Sequence, residues 1–154
     1  MSPEARLTEL QLALPMAPKP GGIYAPVVIV DRLAFVSGHG PIRTDGTLMT
    51  GRVPDQVSET DAHLVARQVG LTMLATLRRE LSSLDRIERV VKVLGMVYAT
   101  SEFDHHPQVI NGFSNLMVEL WGETNGKGAR SAVGMGSLPG NITVEVEAIF
   151  LLKE

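Results

Sequence analysis

Cysteine is absent from the chain. Disulfides, thiolate zinc sites, iron–sulfur clusters and a cysteine nucleophile are excluded with it. There is no surplus of positive charge either: the formal net charge is -3. Nucleic acid is therefore a poor expectation for a partner, because binding it takes a basic footprint. No long apolar run occurs, and the N-terminal Met1-Ser2-Pro3-Glu4-Ala5-Arg6 is polar. Neither a signal peptide nor a membrane span is expected, and cytoplasmic residence is the default. Internal repeats, low-complexity tracts and interdomain linkers are missing as well. So are phosphate loops: Gly38-His39-Gly40, Gly134-Met135-Gly136 and Gly126-Lys127-Gly128 do not continue as nucleotide fingerprints.

What is present is ordinary globular material. With 154 residues, 44% of them hydrophobic and 20% charged, one domain with one core is expected. Residues 1–22 read as an N-terminal arm. A short helix is expected over Glu4–Leu12, followed by Pro15, Pro18, Pro20 and Gly21-Gly22, which break regular structure. Strands are expected at Tyr24–Val30 and Leu33–Ser37, joined by a tight turn at Asp31-Arg32. The run Val27-Val28-Ile29-Val30 suggests burial on both faces. The long segment from His39 to Val57 calls for a functional loop or a further short strand, with Asp45-Gly46 able to turn a hairpin.

Ser58-Glu59-Thr60-Asp61 reads as a capping box opening a helix to about Leu81. Its buried stripe is Ala62, Val65, Val69, Met73 and Leu77, while Arg78-Arg79 fall on a solvated face. Arg89–Tyr98 has the β-branched content of a central strand. Asp104 can cap a second amphipathic helix, with Pro107 in its first turn and Gly122 as its stop. The order β-β-α-β-α-β-β points to an α+β domain over residues 23–154, with both helices on one face of a sheet.

The charges in the last stretch stand out. Arg130 opens one strand-like run, and Glu145 and Glu147 share a face of the next, about 6.6 Å apart by strand rise. Arg130 could grip a carboxylate through its planar fork, or it could form a structural ion pair with either glutamate. Glu145 could act as a general acid/base, or be a solvated strand residue. The flanking Val144, Val146, Ala148 and Ile149 make the final strand apolar on both faces. Its second face is therefore expected to be buried against another copy of the chain. His105-His106 point about 100° apart on a helix, and His39 and His63 stand alone. No metal site is expected, and helix-cap or surface roles are preferred for the histidines.

Arg130-Ser131-Ala132-Val133, then Leu138-Pro139, then Val144-Glu145-Val146-Glu147-Ala148 closely resembles the signature of the Rid/YjgF family. Tyr24, Ser37-Gly38 and Asn111 also fall where that family has them. The N-terminal arm is similar to that of its longer, endoribonuclease L-PSP-like subgroup. The resemblance implies a chorismate-mutase-like fold and a homotrimer whose sheets form an inner barrel, with clefts between subunits. It implies hydrolysis of reactive enamines and imines, of the 2-iminopropanoate or 2-iminobutanoate type, to 2-keto acids and ammonia. Arg130 would hold the substrate carboxylate and Glu145 would handle water and protons. Tyr24, Gly38, Asn111 and the backbone at Ala132 would line the pocket. No metal or organic cofactor is implied. Departures from the family pattern are His39 for the usual Gln, Ala132 for the usual Cys, and Lys127-Gly128 in place of Phe-Pro. A non-catalytic trimeric module for small carboxylates, and an endoribonuclease, are the alternative readings.

Overall fold

The computed structural model describes all 154 residues, Met1–Glu154. Its elements are α1 (Pro3–Glu9), β1 (Val27–Val30), β2 (Leu33–His39), α2 (Glu59–Leu81), β3 (Ile87–Tyr98), α3 (His106–Gly126), β4 (Ala129–Met135) and β5 (Val144–Leu152). Five strands form one mixed sheet in the order β1-β2-β5-β3-β4. The β3–β4 pair is parallel and the other neighbours are antiparallel. Both long helices cover one face, so the fold is the α+β arrangement expected from the sequence.

The core lies between that face and the helices. On β5, Val144, Val146, Ala148, Phe150 and Leu152 are buried, and the residues alternating with them face away. The α2 stripe of Ala62, Val65, Val69, Met73 and Leu77 is buried against the same layer. The Ser58 hydroxyl accepts the Asp61 N–H at 3.1 Å, which caps α2 as the sequence indicates. Asp45-Gly46 turns a small excursion closed by the Ile42–Leu48 bridge, with Gly46 at φ +85°.

Several expectations need correction. The β1 strand is an edge strand bonded only to β2, and it lies beyond the helix layer. Val28, Ile29 and Val30 are consequently about half exposed rather than buried on both faces. Strand β1 also begins at Val27, after Pro26, and not at Tyr24. The N-cap of α3 is His105, not Asp104, and no side chain makes a cap bond there. His105 Nδ1 instead pairs with Glu59 at 2.8 Å, tying the two helix starts together. Gly122 leaves the helical region at φ 77° and ψ 172°, but one more turn follows before β4.

The arm is fastened to the domain. Helix α1 ends at Glu9, three residues before the expected Leu12. Leu7 enters the core, and Leu10, Leu12 and Leu14 lie against it. Arg78 is not a solvated arginine: it forms an ion pair with Glu4. Arg79 donates to the carbonyls of Ala17 and Pro18, at 3.5 and 3.1 Å.

His39 is buried, contrary to a cap or surface role. The register slips between Val36 and His39, and this irregularity turns the imidazole toward α2. Nδ1–H donates to the Ser37 carbonyl at 2.6 Å, so Nε2 of the neutral ring accepts from Thr76 Oγ1 at 2.9 Å. Burial lowers the pKa below 6.5, the Ser37 bond opposes this, and Arg79 adds to the lowering. The unfolded chain then binds a proton that the native state refuses. This contribution to stability is full above pH 6.5 and is lost as pH falls toward the folded value. Denaturant titrations across pH 5 to 8 should give His39→Gln a shallower acid loss than the parent, the difference in slope being at most about 1.4 kcal/mol per pH unit.

Candidate functional site

Register decides where the two principal charged residues point. Arg130 is opposite Val93 on β3, and Val93 is opposite Ala148 on β5. Directly paired residues share a face, so Arg130 lies on the helix side of the sheet. Glu145 is opposite Met96, which is opposite Val133. Those residues lie on the open side. Arg130 and Glu145 therefore occupy opposite faces of the sheet, with β3 between their strands, and do not form an ion pair. Glu147 shares Glu145's face and does not meet Arg130 either.

On the helix side, Arg130 reaches under α3. One guanidinium nitrogen, Nη1, donates to Asn111 Oδ1 at 2.8 Å and to Ser114 Oγ at 3.1 Å. No carboxylate of the chain neutralises the group. Burial alone pushes its pKa below the ordinary value, although a guanidinium stays charged. Around it is a pocket of about 250 Å³, bounded by Val93, Asn111, Ser114, Lys127 and Gly128. Lys127 is engaged by Glu123 at the lip. Gly128 sits tightly on β3, where an added Cβ would lie 2.8 Å from Val90 Cγ1. Ala132 is two residues along β4 on the same face, partly buried against the core. Ser114 was not singled out from the sequence. Its signal was the spacing of three from Asn111, which puts both on one helix face.

On the open side, Glu145 lies at the floor of a second pocket, of about 520 Å³. Tyr24, Ser37, Gly38 and Glu147 line it, and so do Gly21 and Gly22 of the arm. The Glu145 carboxylate has no hydrogen-bond partner within the chain. Burial raises its pKa above 4.5, and the Glu147 charge raises it further. Gly38 is in direct contact: a Cβ there would fall 2.1 Å from Glu145 Oε1. Only glycine leaves room for the carboxylate in its present position. The Tyr24 hydroxyl accepts the Gly21 N–H at 3.2 Å, which links the arm to the pocket wall.

The six residues singled out from the sequence thus form two groups. Tyr24, Gly38 and Glu145 are gathered on one side, and Asn111, Arg130 and Ala132 on the other. One chain does not join them. No group of three or more His, Asp or Glu side chains is arranged to hold a metal ion. No helix is long and apolar enough to cross a membrane.

Comparison with known proteins agrees with this architecture. Residues 4–149 match the family model described as "YjgF/chorismate mutase-like, putative endoribonuclease". Protein TCP17 of Trypanosoma cruzi is 34% identical over 149 residues, covering 97% of this chain and 93% of that protein. The crystal structure of Atu1372 from Agrobacterium tumefaciens, described as of unknown function, is 38% identical with a TM-score of 0.88. It covers 98% of this chain and 94% of its own. A Shewanella oneidensis structure described as a putative endoribonuclease has a TM-score of 0.93 at 26% identity, covering 99% and 100% of the two chains. RidA from an Antarctic Psychrobacter is 25% identical with a TM-score of 0.61, over 88% of this chain and 94% of its own. Sequence signature, sheet order and these likenesses agree: the chain belongs to the Rid/YjgF family.

Proposed function

We propose that the protein is an imine hydrolase acting on small 2-imino carboxylates, and that its working site is a cleft between copies of the chain. The observation that carries this reading is Arg130. It is a half-buried guanidinium, anchored by one nitrogen on Asn111 and Ser114, with no carboxylate of its own. A partly desolvated charge without a counter-charge gains from one, and a ligand carboxylate would supply it. Glu145 is its counterpart, a half-buried carboxylate without a bond. The two face opposite sides of one sheet, so a second copy is needed to complete the site. In a homotrimer the open sheet faces would turn inward, covering Phe35, Val133 and their apolar neighbours. Arg130 of one copy would then border the Glu145 pocket of the next.

The chemistry follows from these two groups. Arg130 binds the carboxylate of R–C(=NH2⁺)–COO⁻ and fixes the electrophilic carbon. The Glu145 carboxylate removes a proton from water as oxygen bonds to that carbon, giving a carbinolamine. Protonated Glu145 then returns the proton to nitrogen. As the C–N bond breaks, the hydroxyl oxygen forms the carbonyl, and its proton passes through Glu145 to the departing ammonia. The products are R–CO–COO⁻ and ammonium. A carboxylate with a raised pKa serves both steps better than an ordinary one. Ala132 and Asn111 would support the carboxylate end, and Tyr24 and Gly38 the reacting end.

Endoribonuclease activity, the other description attached to the family, needs a strand of phosphates to be held. The net charge of -3 opposes that. RNA cleavage that persists through repurification and is lost in Arg130→Ala would replace the present reading.

The direct test uses an imine made in situ by an amino-acid oxidase, with keto acid released in competition with semicarbazide trapping. Replacing Arg130 by Ala removes a charged two-bond contact worth about 3 kcal/mol or more, so kcat/KM should fall at least about 100-fold. Unchanged turnover would refute the mechanism, and ligand-dependent stabilisation without turnover would make the protein a binding module. Gly38→Ala forces the Glu145 carboxylate aside. It should lower kcat by about 10- to 100-fold with little change in Tm, the loss expected when a general acid/base is misplaced.

A further inference from the structure

The Glu145 pocket is not closed at its arm side. It shares Tyr24, Gly38, Gly40, Pro139 and Ile142 with a second lobe of about 180 Å³. The remaining wall of that lobe comes from Pro18 and Pro20 of the arm, Pro26, and Ile42 and Leu48 of the small hairpin. These are apolar groups. No carboxylate reaches the lobe. His39 borders it, but its ring nitrogens are taken by the Ser37 carbonyl and the Thr76 hydroxyl. The imidazole therefore offers a ligand only its carbon edge. Lys19 is the single charged residue of the lining, and its side chain is exposed.

The arm is held in this position rather than draped there. Arg79, near the end of α2, donates to the carbonyls of Ala17 and of Pro18, the first residue of the lobe wall. Pro18 and Pro20 have fixed φ, which lowers the entropy lost on ordering the wall. The Gly21 N–H bonded to the Tyr24 hydroxyl closes the other end.

We propose that this lobe, built by the arm and the small hairpin, receives the substrate's side chain and selects imines with bulky apolar side chains, such as those derived from leucine or phenylalanine, over those with a methyl group. This rests on the imine-hydrolase reading and extends it to substrate class. Gly38 touches Glu145 and borders both lobes, so a substrate whose reacting carbon lies at Glu145 has its side chain directed past Gly38 into the apolar lobe. Each buried methylene contributes discrimination of about tenfold or more in such pockets. Leu48 and Arg79 are specificity-determining and positioning residues in this scheme, and neither meets the reacting atoms.

The test compares kcat/KM for imines generated in situ from alanine, leucine, phenylalanine and aspartate. The native protein should prefer the leucine or phenylalanine imine to the alanine imine by at least about tenfold. Leu48→Trp fills the lobe from its rim. Leu48 is nearly half exposed, so the change does not disturb the core. The leucine-to-alanine ratio should fall at least about tenfold in that variant. In Arg79→Ala the same ratio should fall, because the wall is released, with KM for the leucine imine rising more than kcat drops. A preference for the alanine imine, a preference for the aspartate imine through Lys19, or a ratio unmoved by Leu48→Trp would each overturn the lobe assignment while leaving imine hydrolysis intact. Absence of turnover for every imine would overturn both.

Discussion

The two-residue period of a β-strand governs this molecule more than any single contact. Register through β4, β3 and β5 sets Arg130 on the helix side and Glu145 on the open side of one sheet. No rotamer change moves either across. Two charged groups of opposite sign, both partly removed from water, are thereby kept from neutralising each other. Each retains its capacity for an external partner. A salt bridge within the chain would have satisfied both and left neither charge free for a ligand. Their separation is thus a property of the backbone pairing, and it makes the proposed site a matter of assembly.

Around these groups the chain supplies rigidity. Arg130 stands on a strand and is braced by two side chains from one face of α3. Glu145 stands on the central strand, with the Gly38 backbone against it. Sites mounted on strands and helices hold geometry better than sites on loops. Gly95 serves the same end by close approach of α3 to the sheet, where an added Cβ would lie 2.6 Å from Ile110. Gly112 does so between α3 and α2, where it would lie 1.9 Å from the His63 carbonyl oxygen. With Gly95 beneath it, helix α3 sits low enough on the sheet for Asn111 and Ser114 to reach Arg130.

What the sequence made legible follows from period. The strong 3.6-residue stripe of α2, the capping serine and the order of strands and helices pointed to the two-layer fold, and the two-residue period to the shared face of Glu145 and Glu147. Strand β5 is not apolar on both faces as expected: Val144, Val146 and Ala148 all lie on the helix side, and of these four apolar residues only Ile149 joins the glutamates on the other. What escaped it depends on position in space. Val28, Ile29 and Val30 have the composition of a buried strand, and composition says nothing about lying at the sheet edge beyond the helices. His39 looks like any lone histidine until a register slip turns it inward to Thr76. Arg78 and Arg79 belong to a polar helix face by spacing, and only the path of the arm brings Glu4, Ala17 and Pro18 to them. The same limit applies to the site. The sequence marked Arg130 and Glu145, but not that one chain holds them apart.

The arm shows how a surface segment becomes part of a pocket. A proline-rich stretch of some twenty residues with one short helix ordinarily buries too little to offset its own ordering. Here Leu7 reaches the core, Glu4 meets Arg78, and Arg79 binds two carbonyls in succession. Exposed ion pairs contribute little individually. Their effect here is to fix the path, with Leu7, Leu10, Leu12 and Leu14 supplying the apolar burial. The fixed path ends at Gly21-Gly22 and Tyr24, against the wall shared with Glu145. Under the proposed function this path would bear on the chemistry, because the anchored Pro18 is itself a lining residue and the rest of the arm's lining, Lys19 to Gly22, follows it directly.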